Sequence, residues 1–186
     1  MTTTAAQPAT THRPSPPDLV ATTLEIDDFR VRGVSFRGTA HVTFDEPRQD
    51  AFAVATNDQW VVLAVADGIG SSEHSHHGAA AAVNAIAAAA EADELDITNG
   101  QAVMQSAVTA ARAVADELGV PTSTVATTLT VAAVERVADD DGSRKAWINA
   151  VGDSPALLLE ADTWTYLTAG DDGPSNIVHT WVPDRA

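Results

Sequence analysis

The residues best suited to chemistry lie at a sharp reversal of the chain, Asp67-Gly68-Ile69-Gly70. This segment follows an apolar run at 60–66, so a rigid strand end would hold the Asp67 carboxylate. Gly68 has no side chain to shield its backbone carbonyl from a ligand. Carboxylate and carbonyl oxygens are the ligands that hard divalent cations prefer, and the pair therefore predicts a metal site. The competing interpretation is an ordinary Asp-Gly turn that binds nothing.

Two further acids occupy comparable positions at strand ends. Asp50 opens the preceding strand, and if 51–55 and 60–66 form a hairpin, Asp50 and Asp67 lie at the same end of it. Two carboxylates on one sheet edge are the minimum of a two-metal site. Asp153, in Val151-Gly152-Asp153-Ser154, also ends an apolar strand and enters a tight turn. Each acid could equally be a solvated residue at the end of a strand.

Histidines form a second group of candidate ligands. His74, His76 and His77 follow Glu73 closely, and His-x-His spacing can bind zinc or nickel. A solvated loop that leads into the next helix explains the same residues. His41 lies in a separate segment, where it could contact phosphate or fill a turn, and the sequence does not choose between these.

Composition limits the classes of protein to which such sites could belong. The 186 residues include 26 acidic and 10 basic side chains, and the net charge of −16 repels the phosphate backbone of nucleic acids. Because the chain has no cysteine, disulfides, thiolate nucleophiles and Cys-based zinc sites are excluded. We see no signal peptide and no apolar run that could span a bilayer, and we expect a cytoplasmic protein without nucleic-acid or membrane partners.

The hydrophobic pattern predicts the elements that position these acids. Residues 1–25 are rich in Thr, Pro and Ala, which predicts a disordered tail before a single domain at 26–186. Alternation predicts a strand at Phe29–Phe36, and a short apolar run predicts another at 51–55. The continuous apolar run at 60–66 is typical of a strand that is covered on both faces.

Two helices and further strands follow in the sequence. An Ala-rich helix is expected at 78–91. A second helix is expected between a capping box at Thr98 and Gln101 and a stop signal at Gly119. The remaining strands are predicted at 125–133, 146–151, 156–159 and 164–167. Strands, two helices and then strands predict an α+β fold in which helices cover antiparallel sheets.

Several short motifs stand in a particular order along the chain. They are Gly38-Thr39-Ala40-His41, Pro47-Arg48-Gln49-Asp50-Ala51, Val65-Ala66-Asp67-Gly68-Ile69-Gly70-Ser71, Ala126-Thr127-Thr128-Leu129, Asn149-Ala150-Val151-Gly152-Asp153-Ser154-Pro155-Ala156 and Leu167-Thr168. Each is weak alone, but together they resemble the metal-dependent type 2C protein phosphatases, most closely the bacterial branch. The resemblance covers roughly residues 33–186.

The resemblance implies a four-layer α-β-β-α sandwich that hydrolyses phosphoserine and phosphothreonine in proteins. It also implies two Mn²⁺ or Mg²⁺ ions, which activate a bridging water for attack on phosphorus. By position, Asp67 would bridge both ions, the Gly68 carbonyl would bind one of them, and Asp50 would bind the other. Asp153 would lie near a possible third ion. Asp67 and Asp50 are thus the implied catalytic residues.

Two departures from the family pattern modify this expectation. Asp45 stands where the family has a phosphate-binding arginine, so the candidates for contacting phosphate are Arg48, Arg37 and His41. Nothing after Thr168 matches the two later metal-binding acids of the family, which predicts a truncated chain, an incomplete reading frame or a degenerate member. The alternative function is therefore a catalytically weak or inactive phosphatase-like module that binds a partner protein. The third possibility is an acidic α+β domain whose Asp-Gly turns are only turns.

Overall fold

The computed structural model describes residues 16–70 and 72–168. In chain order, its elements are β1 (Leu19–Ile26), β2 (Phe29–Phe36), α1 (Thr39–Thr43), β3 (Ala51–Thr56), β4 (Trp60–Ala66), α2 (Ser75–Glu91), α3 (Gly100–Leu118), β5 (Leu129–Glu135), β6 (Ala146–Val151), β7 (Leu157–Glu160) and β8 (Thr163–Tyr166). The strand pairs formed by these residues are antiparallel. The predicted α+β class, with helices beside antiparallel sheets, is confirmed.

A four-stranded sheet with the order β3-β4-β5-β6 is the centre of the fold. The predicted hairpin of β3 and β4 is present, and Ala51 lies opposite Ala66 in its register. Asp50 and Asp67 are therefore at the same end of the hairpin, as the sequence suggested. The β5 strand pairs with β4 on the side away from β3, so the acid-bearing end of β4 is held between two neighbours.

Helices α2 and α3 cover one face of this sheet. The buried face of α2 is built from small residues, among them Ala79, Ala82 and Ala90, together with Ile86. A β-carbon at Gly78 would lie 1.9 Å from the carbonyl oxygen of Val125, so α2 packs in direct contact with the backbone of the 3-10 turn at Thr122–Val125. The two helices form the helical layer on this face of the sheet.

The β1–β2 hairpin lies against the opposite face of the sheet. A β-carbon at Gly33 would lie 2.5 Å from the ring of Phe52, which shows how closely β2 approaches β3. Cover on this face is incomplete, because Val65 is 49% exposed. The prediction that 60–66 is buried on both faces is therefore wrong at the end of the strand next to Asp67, where a cleft opens instead.

Three sequence predictions need correction. The predicted tail at 1–25 overlaps β1, which forms because Leu19–Ile26 pairs along its whole length with β2. Helix α3 is capped by Asn99, whose side chain accepts a hydrogen bond from the Ala102 N–H, instead of by Thr98. The strand predicted at 125–133 begins only at Leu129, because the preceding residues form the 3-10 turn and an isolated bridge between Thr127 and Gly68.

The remaining predicted elements agree closely with the structure. Helix α3 ends at Gly119, which has a φ of 68° as expected for a left-handed cap. The turn between β7 and β8 lies at Ala161 and Asp162, which both have positive φ. In the part of the chain that the structure describes, no helix combines the length and the apolar character needed to cross a membrane. The part of the predicted domain at 169–186 lies outside the described residues.

Candidate metal centre

A cleft of about 630 Å³ opens at the sheet edge where β3 begins and β4 ends. Asp50, Asp67 and Asp153 all line it, so the structure brings together the three acids that the sequence singled out. Strand β2 forms one wall, and the turn after β6 forms another. We call this feature the acid cleft.

The backbone at Asp67 is fixed by hydrogen bonds to residues far away in sequence. The Asp67 N–H donates to Thr128 Oγ1 at 3.0 Å, and the Asp67 carbonyl oxygen accepts from the Thr128 N–H at 2.9 Å. The same carbonyl also accepts from Thr127 Oγ1 at 2.9 Å. The end of β4 is therefore anchored by three hydrogen bonds, although it borders an open cleft.

Gly68 is buried, and its surroundings require a glycine. A β-carbon there would lie 2.9 Å from the Gln49 carbonyl oxygen and 2.9 Å from Ser75 Cβ. The absence of a side chain thus serves close packing between the Asp50 segment, the Asp67 turn and the start of α2. This packing reason was not apparent from the sequence, which suggested only access to the Gly68 carbonyl.

The turn that carries Asp153 is packed directly on β5. Gly152 has a φ of 88°, and a β-carbon there would lie 2.7 Å from Thr128 Cγ2. Ser154 Oγ lies 2.7 Å from Thr128 Oγ1, and the Ser154 carbonyl oxygen accepts from Thr130 Oγ1 at 2.5 Å. Asp153 is exposed between these anchored neighbours, so its carboxylate can reach the cleft from a fixed backbone.

The pKa of Asp67 is raised from 3.8 to about 7. Loss of surrounding solvent is the largest cause, even though the residue is exposed on the side of the cleft. A hydrogen bond with the Asp50 carboxyl group and repulsion from Asp50 and Asp153 raise it further, whereas His41 lowers it. Because a hydrogen bond between two carboxyl groups requires a proton, the pair retains one proton close to neutral pH.

This raised pKa predicts how stability depends on pH when a chelator is present. Folded Asp67 binds its proton more tightly than the unfolded chain does, so its stabilising contribution is complete below pH 3.8 and is lost as the pH rises through about 7. As the pH rises across this range, we expect the unfolding free energy of the wild type to fall relative to that of Asp67→Asn. Urea unfolding in EDTA at pH 5 and pH 8 measures it. A difference that does not change with pH would contradict the prediction.

The donor set at the acid cleft fits a hard divalent cation. Mn²⁺ and Mg²⁺ are bound by carboxylate oxygens, backbone carbonyls and water, and the cleft offers three carboxylates beside the Gly68 turn. Within residues 16–70 and 72–168, no three acidic or histidine side chains converge closely enough to form a finished metal site. Burial and the nearby Asp50 and Asp153 carboxylates raise the pKa of Asp67, so negative charge at this position is unfavourable without a cation. A divalent cation bound in the cleft would offset this repulsion.

Arg48, a predicted phosphate contact, is buried and does not line the cleft. Its Nε donates to the Pro17 carbonyl oxygen at 2.9 Å, and its Nη1 donates to Ser35 Oγ at 2.6 Å and to the Asp50 carbonyl oxygen. These bonds join β2 to the segment that opens β3. Arg48 therefore positions the backbone of Asp50, and its placement gives no support to a contact with phosphate.

His41 and Arg37 are joined to each other and to nearby acids. His41 Nδ1 lies 2.8 Å from Glu46 Oε2, and the His41 carbonyl oxygen accepts from Arg37 Nη2 at 3.2 Å. Arg37 also forms ion pairs with Asp18 and Asp45. Asp45 is thus paired with Arg37, which belongs to the same segment. His41 influences the cleft by lowering the pKa of Asp67.

Arg32 was missed as a candidate, although it lines the acid cleft. The alternation within Phe29–Phe36 is the signal that could have found it. Gly33 and Ser35 face β3, while Arg32 and Val34 lie on the more exposed face of β2. The cleft therefore has an arginine among its lining residues.

The histidine cluster does not join the acid cleft. His74, His76 and His77 are half-buried instead of solvated, and the rings of His76 and His77 are 4.0 Å apart. Burial, followed by the charges of His77 and His74, lowers the pKa of His76 to about 4. His76 is therefore neutral at physiological pH, and the three rings pack at the start of α2.

Comparison with known protein families gives one match to a family model. The model described as "Protein phosphatase 2C" matches residues 37–176, which is well over half of the chain. The matched range contains Asp50, Asp67 and Asp153, and it contains Thr127 and Thr128, which bond to the Asp67 backbone. No curated protein matches the chain.

Proposed function

Because the chain belongs to the protein phosphatase 2C family, we propose that it hydrolyses phosphoserine and phosphothreonine in proteins with Mn²⁺ or Mg²⁺ as cofactor. The observation that carries the proposal is the acid cleft, which three carboxylates from separate strand ends share. Such a cleft suits a phosphatase without cysteine, because metal-dependent phosphoryl transfer needs no protein nucleophile. The cytoplasmic location stays a prediction.

Asp67 is the proposed central metal ligand, and Asp50, the Gly68 carbonyl and Asp153 would be further ligands. When bound, two divalent ions would supply an activated water and neutralise the negative charge of the phosphoryl oxygens. The protein's own contribution is to hold the carboxylates in place before a cation arrives. The hydrogen bonds that join the Asp67 backbone to Thr127 and Thr128 support this role.

We propose that Arg32 contacts the phosphate of the substrate. A phosphate dianion that enters a cleft with three carboxylates needs a compensating cation, and an arginine binds phosphate oxygens in a bidentate manner. Arg48 and Arg37 are engaged with other groups, whereas Arg32 lines the cleft. Arg30 lies two residues earlier on the same strand and pairs with Glu25, which makes it a matched control.

Hydrolysis of an aryl phosphate and of a phosphothreonine peptide by the purified chain tests the proposal. We expect turnover that depends on Mn²⁺, falls to background in EDTA and returns with excess Mn²⁺. Arg32→Gln should raise KM for both substrates, while Arg30→Gln should leave KM unchanged. Folded protein without metal-dependent turnover would overturn the proposed activity and would favour the inactive binding module. An unchanged KM for Arg32→Gln would show that Arg32 does not contact the phosphate, and it would leave the proposed metal-dependent activity standing.

A further inference from the structure

One side chain contacts both acid-bearing turns of the cleft. Thr128 is 1% exposed and precedes β5. Its Oγ1 accepts a hydrogen bond from the Asp67 N–H at 3.0 Å and lies 2.7 Å from Ser154 Oγ. The residues joined in this way are 61 and 26 positions from Thr128 in sequence. A single hydroxyl therefore links the backbone at Asp67 to the residue that follows Asp153.

The chemistry of a hydroxyl group allows both contacts at once. A threonine hydroxyl has one proton and two lone pairs, so it can accept from the Asp67 N–H and donate to Ser154 Oγ. Thr128 is buried and both bonds are partly buried, so losing either bond would leave a polar group with little access to a replacement partner. Both turns are therefore held to one common point.

The methyl group of Thr128 makes a separate contact. A β-carbon at Gly152 would lie 2.7 Å from Thr128 Cγ2, so the turn before Asp153 rests on this methyl group. Thr130 adds a hydrogen bond to the Ser154 carbonyl oxygen, but no bond from Thr130 to Asp67 accompanies it. Of these two threonines, Thr128 is the one that contacts both turns.

We propose that Thr128 is a positioning residue that sets the separation of the Asp67 and Asp153 carboxylates, and that its hydroxyl and methyl groups make distinct contributions. This inference rests on the proposed metal-dependent function. Groups that orient metal ligands typically change metal affinity or activity by about 10- to 100-fold when they are removed. Thr128 should therefore affect Mn²⁺ binding itself, in addition to any effect on folding.

Calorimetric titration with Mn²⁺ alone tests the inference on the full chain. Thr128→Val keeps a methyl group and removes the hydroxyl, and we expect it to weaken Mn²⁺ affinity by about 10- to 100-fold. Thr128→Ser keeps the hydroxyl and should restore most of that loss. Thr109→Val removes a hydroxyl that donates within α3 to the Gln105 carbonyl oxygen, and it should bind Mn²⁺ as the wild type does.

A second variant keeps the test decisive if Thr128→Val does not fold. Ser154→Ala breaks the link to the Asp153 turn and leaves the bond between Thr128 and Asp67 in place. We expect weaker Mn²⁺ binding in this variant as well, and unchanged affinity in folded Ser154→Ala would contradict the positioning role. If Thr128→Val does fold, the double variant should lose less affinity than the sum of the two separate losses. Additive effects in the folded variants would contradict a shared link.

The outcomes separate the inference from the function on which it rests. A wild-type chain that takes up no Mn²⁺ would overturn the proposed function and the role of Thr128 together. A wild-type chain that binds Mn²⁺, with Thr128→Val lowering the unfolding midpoint at unchanged affinity, would overturn the positioning role alone. Loss of Mn²⁺ affinity in Thr128→Val, with recovery in Thr128→Ser, would support both the metal-dependent function and the positioning role of Thr128.

Discussion

Asp67→Asn is expected to abolish Mn²⁺-dependent hydrolysis, with a loss on the order of 1,000-fold, at the upper end of what removal of one preorganised electrostatic group costs. The amide has nearly the shape of the carboxylate, so the hydrogen bonds of the Asp67 backbone to Thr128 remain. What disappears is the negative charge at the centre of the acid cleft. The turnover number and Mn²⁺ affinity, measured on the same sample, report the two consequences.

The same variant should be more stable than the wild type in EDTA at pH 8. The raised pKa of Asp67 means that the folded chain holds an ionised carboxylate there unfavourably, beside Asp50 and Asp153. A neutral amide removes this repulsion. Lost activity combined with gained stability is typical of a site whose charges are arranged for a ligand, because an error in packing would reduce both.

Asp58→Asn is the matched control for this prediction. Asp58 is exposed in the turn between β3 and β4, at the end of the hairpin away from the acid cleft. We expect its turnover and its stability in EDTA to equal those of the wild type. If Asp67→Asn hydrolysed the aryl phosphate at the wild-type rate, Asp67 would not be a metal ligand and the proposed mechanism would be wrong.

The sequence predicted those elements whose signals are local. The bounds of Phe29–Phe36, Trp60–Ala66 and Ala146–Val151 are the observed ones, because each run has a clear period and ends at turn residues. Strand β1 was missed because its Thr- and Ala-containing segment forms a strand only by pairing with β2. The start of β5 was misplaced because Val125 to Thr128 are rich in β-branched residues and run directly into the strand, although they form a 3-10 turn and a bridge.

The candidate site was predictable only in part, for a related reason. Asp50, Asp67 and Asp153 each stand beside a strand end and a turn, which is a local pattern, and the hairpin register explains why two of them meet. The roles of Arg48 and Thr128 depend on contacts between residues far apart in sequence, to Ser35 in one case and to Asp67 and Ser154 in the other. No spacing rule identifies such contacts, so the sequence suggests a phosphate ligand at Arg48 and only a strand position at Thr128.

Gly78→Ala is expected to destabilise the fold by about 3 kcal/mol, at the upper end of the usual cost of overpacking a core. The new β-carbon would lie 1.9 Å from the Val125 carbonyl oxygen and 2.8 Å from the carbonyl carbon. Alanine favours a helix over glycine by up to about 1 kcal/mol, which acts in the opposite direction. The clash dominates because the neighbour is backbone, which cannot rotate away as a side chain could. Urea unfolding measures the net effect.

Gly119→Ala separates packing from backbone conformation. Gly119 has a φ of 68°, and a β-carbon at this position would have no atom within 4 Å. The substitution therefore costs only the left-handed conformation, about 1–2 kcal/mol. A Gly78→Ala chain as stable as the wild type would show that α2 can move away from the 3-10 turn without cost.

The position of Gly78 also connects helix packing to the acid cleft. The 3-10 turn that it contacts accepts hydrogen bonds from the segment after Asp67, through the His74 N–H to the Thr124 carbonyl oxygen and through Ser72 Oγ to the Ser123 carbonyl oxygen. If Gly78→Ala displaces α2 from this turn, the segment should move with it. We therefore expect Gly78→Ala to weaken Mn²⁺ affinity while Gly119→Ala leaves it unchanged, because only the first substitution disturbs the support beneath the Asp67 turn.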